Sequence, residues 1–286
     1  MAANFPTRPS SIEAYLMADN RVSHPLDFFL CLKFQGKISF ESFEQAICRV
    51  LPFHPFLNAT IQDYGLKWRW NHSSNTAPVI THHHKASASE SSVSLSAIDL
   101  RSEPGVRSVL ESFSDGGKMI FQFHHVASDG LGAFGFVRDV IKVLNNPELP
   151  EELRDTSRVV ERYDLGYGRD SIFQMARRQM RALRASVALS AKAVPLIPHE
   201  IDCNTVRNPL VSHTTKTLSS RETSALKVAA QNAGVSVNTL LLRDTFVALD
   251  RFRRDHGICQ KDGWLRIAVP GSRRAISGCL QETTSV

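Results

Sequence analysis

The chain is expected to fold as an α/β protein, because strand patterns twice run directly into helical ones. Residues 27–35 form an apolar strand candidate ahead of a helical run at 43–51, and residues 118–123 precede a helical run at 131–141. The second junction is His124-His125-Val126-Ala127-Ser128-Asp129-Gly130, which sets a base, an acid and a glycine turn at one spacing. A histidine at the mouth of a strand can project from rigid backbone into a cleft. Imidazole, with a pKa of about 6.5, is the natural general base for neutral-pH chemistry.

Taken in order, Ser39 is the expected cap of a helix whose buried stripe is Phe43, Ala46, Ile47 and Val50. Phe56–Gln62 and Leu66–Trp70 pattern as a hairpin around Tyr64-Gly65. Residues 85–94 are rich in serine and alanine and are expected to be a loop, and 106–113 carry a helical pattern. Turn chemistry at Asn145–Pro150 marks a boundary, so residues 1–150 form a first half-domain. Residues 151–205 are a linker with a basic amphipathic helix over 170–194, closed by Pro195 and Pro198. Residues 206–286 form the last part: a strand at 212–218, caps at Ser219 and Ser220, two helices reaching about residue 255, and a strand at 265–270.

Successive side chains on a strand point to opposite faces, so His124 and His125 are not expected to share one site. One faces a cleft and the other is tied into the structure. For Asp129 two roles stay open, capping the following helix or pairing with a distant arginine.

The His-His-x-x-x-Asp-Gly spacing resembles the signature of the chloramphenicol-acetyltransferase-like acyltransferases, which include the condensation domains. The neighbourhood adds to it: Gly36-Lys37-Ile38-Ser39, the helical run Phe43–Leu51 and His54-Pro55-Phe56-Leu57 resemble the family's opening, and Asp99-Leu100 with Glu103–Arg107 resemble the segment before its active-site strand. The resemblance implies a two-layer half-domain followed by an incomplete second half-domain. It places the catalytic base at His125, with Asp129 in the catalytic motif in a mainly structural role and His124 and Gly130 as structural members of the site. The family's aspartate commonly pairs with an arginine of the second half-domain, for which Arg274 is the candidate and Arg273 the alternative. The implied activity is acyl transfer from a coenzyme A or carrier-protein phosphopantetheine thioester to a hydroxyl or amine. Acyl-CoA is then a substrate, with no tightly bound cofactor and no metal, and a carrier protein is a candidate partner. Family members continue well past the strand at 265–270, so the tail from Ala275 reads as a truncated or frame-shifted end. The alternative readings are a truncated non-catalytic remnant and a peripheral membrane-binding protein that uses the basic helix at 170–194.

Composition bounds these expectations. With 42% hydrophobic and 22% charged residues, the chain has the balance of a soluble globular protein. No run of about 18 apolar residues appears, and the N-terminus lacks the apolar core of a secretion signal. Five scattered cysteines without a CxxC pair argue against a disulfide framework, and a reducing cytoplasm fits best. Cys31 and Cys48 lie in apolar-patterned elements and are expected in the core. Arg169, Arg177, Arg178, Arg181 and Arg184 form a basic stripe suited to a solvated face, coenzyme A phosphates, an acidic carrier or a membrane surface. No nucleic-acid motif accompanies it.

Other motifs weigh less. His82 and His84 would share a strand face at metal-ligand spacing, but no acid or cysteine accompanies them, so surface histidines are expected. Gly130, Gly132 and Gly135 match a dinucleotide-loop spacing without the acid of a second strand that such a site needs. Ser128 lacks a nucleophile elbow and is expected to cap the helix.

Overall fold

Ser39 and Ser10 begin the first unit's opening helices in the same way, each accepting a hydrogen bond from a backbone N–H three residues ahead. The computed structural model describes residues 8–65, 67–71, 77–86, 95–146, 180, 216–257, 265, 267 and 269. Residues 8–146 lie in one compact unit and 216–257 in a second. Helix α1 (Ser11–Asp19) carries a reciprocal capping box between Ser10 and Glu13. Helix α2 (Phe40–Val50) buries the expected stripe of Phe43, Ala46, Ile47 and Val50.

The described residues hold six strands: β1 (Asp27–Gln35), β2 (Thr60–Tyr64), β3 (Lys67–Asn71), β4 (Val79–His84), β5 (Val106–Ser112) and β6 (Gly116–His124). Four of them form one sheet in the order β1-β6-β5-β4, with β4 parallel to β5 and the other pairs antiparallel. Strands β2 and β3 form the expected hairpin, turned at Gly65 with a φ of +60° that L side chains rarely adopt. The first hairpin strand starts later than its sequence pattern, at Thr60, because Pro55–Asn58 is a turn. After the histidine pair comes helix α3 (Gly130–Asn145).

Helices α2 and α3 cover one face of the sheet. Phe43 of α2 meets Phe121 of β6 at 5.9 Å between ring centres, and Phe136 of α3 meets Phe123 at 6.0 Å. All four rings are fully buried. Burial of each such side chain contributes about 1.5–3 kcal/mol.

Two expectations are corrected here. Residues 106–113 are not helical: Val106–Ser112 is strand β5, flanked by β4 and β6. Val106, Val109 and Leu110 mimic a helical stripe because this interior strand is buried on both faces and shows no alternation. Cys31 and Cys48 are exposed, not core. Cys31 shares the outer face of β1 with Lys33 and Gln35, while Phe28, Leu30, Leu32 and Phe34 pack on the core. Cys48 falls on the polar face of α2 with Glu41 and Glu44.

The second unit holds helices α4 (Ser220–Asn232) and α5 (Val237–Asp255), matching the two helices expected there. Ser219 caps α4 with a capping box to Glu222, Ser220 is the first helical residue, and Ser236 caps α5. The described part of the strand expected at 212–218, residues 216–218, is irregular. The basic helix over 170–194 (apart from Met180), Arg273, Arg274 and the tail lie outside the described residues, and so do 266, 268 and 270 of the strand expected at 265–270. Among the described residues, no helix is long and apolar enough to cross a membrane.

Candidate active site

Strand β6 ends at His124, and the chain then turns tightly. The N–H groups of Ala127 and Ser128 both donate to the His124 carbonyl, at 2.9 and 3.3 Å. Val126, Ala127 and Ser128 are fully buried, so the turn is set by packing on both sides. Gly105 makes that packing possible. Its carbonyl accepts the His124 N–H at 3.0 Å, and a Cβ built on it would stand 2.3 Å from the Cβ of Ala127.

The two histidines are treated differently. His124 is 1% exposed, and its Nδ1 accepts the Val126 N–H at 3.2 Å. A ring that accepts at Nδ1 carries its proton on Nε2 while neutral. Burial, reinforced by the neighbouring His125, pushes the His124 pKa down to about 4, so the ring is neutral near pH 7. His125 is half-buried and hangs from the Leu26 carbonyl through its own N–H at 2.8 Å. Its ring stands edge-on to Phe28 at 5.4 Å. The His125 Nδ1 is shielded from solvent without a hydrogen-bond partner among the described residues, and so is the His124 Nε2.

Asp129 is the N-cap of α3, its Oδ1 accepting the Gly132 N–H at 2.8 Å. The cap is thus Asp129 and not Ser128, whose hydroxyl donates to the Asp129 carbonyl at 3.0 Å. Ser128 precedes the position where a side chain can reach the helix's free N–H groups. Gly130 opens the helix, and a Cβ there would meet nothing within 4 Å. Gly132 and Gly135 are buried on the packed face of α3.

Two polar pairs near the motif, Asp27 with Gln122 and His54 with Asp139, join residues distant in sequence. Asp27, the first residue of β1, pairs with His124 in the ladder. Its Oδ2 accepts from the Ile98 N–H at 2.9 Å and from Gln122 Nε2 at 2.7 Å, and Gln122 also donates to the Ser96 carbonyl at 2.8 Å. Burial raises the Asp27 pKa to about 6 despite those bonds. An acid opening an otherwise apolar strand was the one available hint. Further back, His54 of the His-Pro element donates from Nε2 to Asp139 Oδ2 of α3 at 3.2 Å, and its ring stands edge-on to Phe136. Burial works to raise the Asp139 carboxyl, yet His54 and Arg138 hold it below the usual carboxylate range.

A sheet whose strand β6 ends at a histidine pair is backed by two helices, and comparison with solved structures places this fold. SgcC5 from Streptomyces globisporus, in complex with (R)-(-)-1-(2-naphthyl)-1,2-ethanediol and sucrose, superposes with a TM-score of 0.57 at 15% identity, over 87% of this chain and 60% of that one. The complex of the X-domain and OxyB from teicoplanin biosynthesis gives 0.56 at 14%, over 88% and 58%. The starter condensation domain of rhizomide synthetase, as a variant in complex with C8-CoA, gives 0.49 at 14%, over 66% and 47%. The chain shares the fold of SgcC5 and of the structure from teicoplanin biosynthesis, and at these identities the likeness is one of fold. It spans less than two thirds of the length of each of these structures. No family model and no curated protein matches it.

Proposed function

We propose that the chain is an acyltransferase-like protein in which His125 is the general base. The observation that carries this reading is the inequality of the histidine pair: His124 is buried, neutral and bonded to the turn, while His125 sits at the strand's mouth with Nδ1 uncommitted. The fold shared with SgcC5 supports it.

In the proposed reaction, the imidazole of His125 takes the O–H or N–H proton of an acceptor. The acceptor's oxygen or nitrogen bonds to the thioester carbonyl carbon, and the carbon–sulfur bond breaks. The leaving thiolate regains the proton from the imidazolium. Base catalysis of this kind is worth about 10²–10⁴-fold. The donor is acyl-CoA or a carrier-protein thioester, which is consumed as substrate. Asp129 acts through the helix it caps and Gly130 keeps the space before that helix open, while Arg274 is the proposed distant partner of the aspartate.

Purified protein incubated with several acyl-CoA donors and with alcohol or amine acceptors, beside a His125→Ala control, tests the assignment. Ester or amide product that disappears in the control supports the reading. Turnover that survives His125→Ala removes His125 as the base.

A further inference from the structure

Far along the sheet from the motif, a second pair of imidazoles is brought together by the strand's period of two. His82 and His84 project from the same face of edge strand β4, with ring centres 4.2 Å apart and planes tilted by 57°. His82 is not a free surface side chain. Its ring lies parallel to Phe40 of α2 at 5.3 Å between centres, and its Nε2 is hydrogen-bonded to the Ser112 Oγ of β5 at 2.9 Å. One imidazole is therefore held in place by a stacked ring and a hydroxyl, while its neighbour His84 stays exposed.

The geometry points to a two-histidine chelate at His82 and His84 for a borderline divalent ion, Cu²⁺, Zn²⁺ or Ni²⁺. Metal–imidazole bonds run about 2.0–2.1 Å, so rings this close bring a nitrogen of each within reach of one ion. Ser112 supplies the outer contact that ligating histidines commonly have: with Nε2–H donating to its hydroxyl, Nδ1 of His82 is the free electron pair. Among the described residues no group of three or more histidine, cysteine or acidic side chains gathers around a point. Water fills the remaining positions, and the ion is exchangeable rather than structural. His83 is the built-in control. It points to the opposite face, paired in the ladder with Glu111, and takes no part.

The test is titration of the full chain with Cu²⁺ followed by electron paramagnetic resonance, and with Zn²⁺ by calorimetry. The expected result is one ion per chain with two imidazole nitrogens in the copper spectrum. His82→Ala and His84→Ala should each weaken binding by roughly tenfold or more, and Ser112→Ala by a smaller factor, as loss of an outer-shell contact does. His83→Ala should leave binding and the spectrum unchanged. His84 is exposed, so His84→Ala keeps the fold, checked by circular dichroism. Binding that survives His84→Ala, or that falls equally in His83→Ala, overturns the site.

Discussion

Asp27 and His124 stand opposite each other in the β1–β6 ladder, and the fold disfavours the charged form of both. Their proton linkages run in opposite directions. Asp27 is raised from 3.8 to about 6, so its burial costs stability in full above pH 6, and that cost vanishes as the pH falls through 6 towards 3.8. His124 is lowered from 6.5 to about 4, so its cost is absent above pH 6.5 and grows as the pH falls towards 4. Shifts of this size correspond to about 3 kcal/mol each, and across pH 4–6.5 they nearly cancel.

Separating the pair should therefore expose two opposite pH dependences. Urea unfolding of Asp27→Asn should show stability lost more steeply than in the wild type as the pH drops from 6.5 to 4. His124→Gln should show stability gained over the same range relative to the wild type. Variants with the wild-type slope would mean that neither group titrates differently in the folded chain.

At Asp129 the charge and the cap can be told apart. Asparagine caps a helix about as well as aspartate, so Asp129→Asn should cost only a few tenths of a kcal/mol, whereas Asp129→Ala should cost about 1 kcal/mol. Thermal unfolding of the two variants decides it. An Asn variant as unstable as the Ala variant would show that the carboxylate's charge, and not its oxygen at the Gly132 N–H, holds the turn.

The two glycines beside the motif should answer oppositely to a methyl group. Gly105→Ala forces a Cβ against Ala127 and should cost about 1–3 kcal/mol. Gly130→Ala enters open space and should be neutral or slightly stabilising. Any loss of acyl transfer in a stable Gly130→Ala then reports on room for substrate. Chemical denaturation of both variants, run beside the transfer assay, measures this.

Breaking the pair between α3 and the His-Pro element should be costly. His54 and Asp139 are both nearly buried, and losing a hydrogen bond to a buried carboxylate costs about 1.5–3 kcal/mol. Asp139→Ala should lose stability on that scale, while His54→Ala combined with Asp139→Ala should lose less than the sum of the single changes. Additive losses in a double-mutant cycle would show the two side chains to be independent.

What could be read from the sequence was local. The stripe of α2, its Ser39 cap and the turn of the hairpin at Gly65 are set within a few residues, and each lies where its pattern places it. Strand β5 was misread because burial on both faces erased the alternation that marks a strand. The two cysteines were misplaced for a related reason: an apolar neighbourhood says little about which face one residue takes. Asp27, Gln122 and the His54–Asp139 pair were invisible because their partners are distant, 95 residues for Gln122 with Asp27 and 85 for His54 with Asp139. The histidine motif was legible as a spacing, but the inequality of its two rings depends on Gly105, Leu26 and Phe28.

That distance has a consequence for how the chain acquires its shape. Pairing β1 with β6 closes a loop of nearly a hundred residues, whose entropy must be surrendered before any ladder bond repays it. The turn after His124 is held locally, but the other anchors of the histidine pair come from residues 26–28 and 105. A nascent chain that has emerged as far as α2 therefore holds no trace of the site. The contacts that hold the pair to β1 exist only with the β1–β6 ladder formed, so whatever loosens that pairing disarms the site.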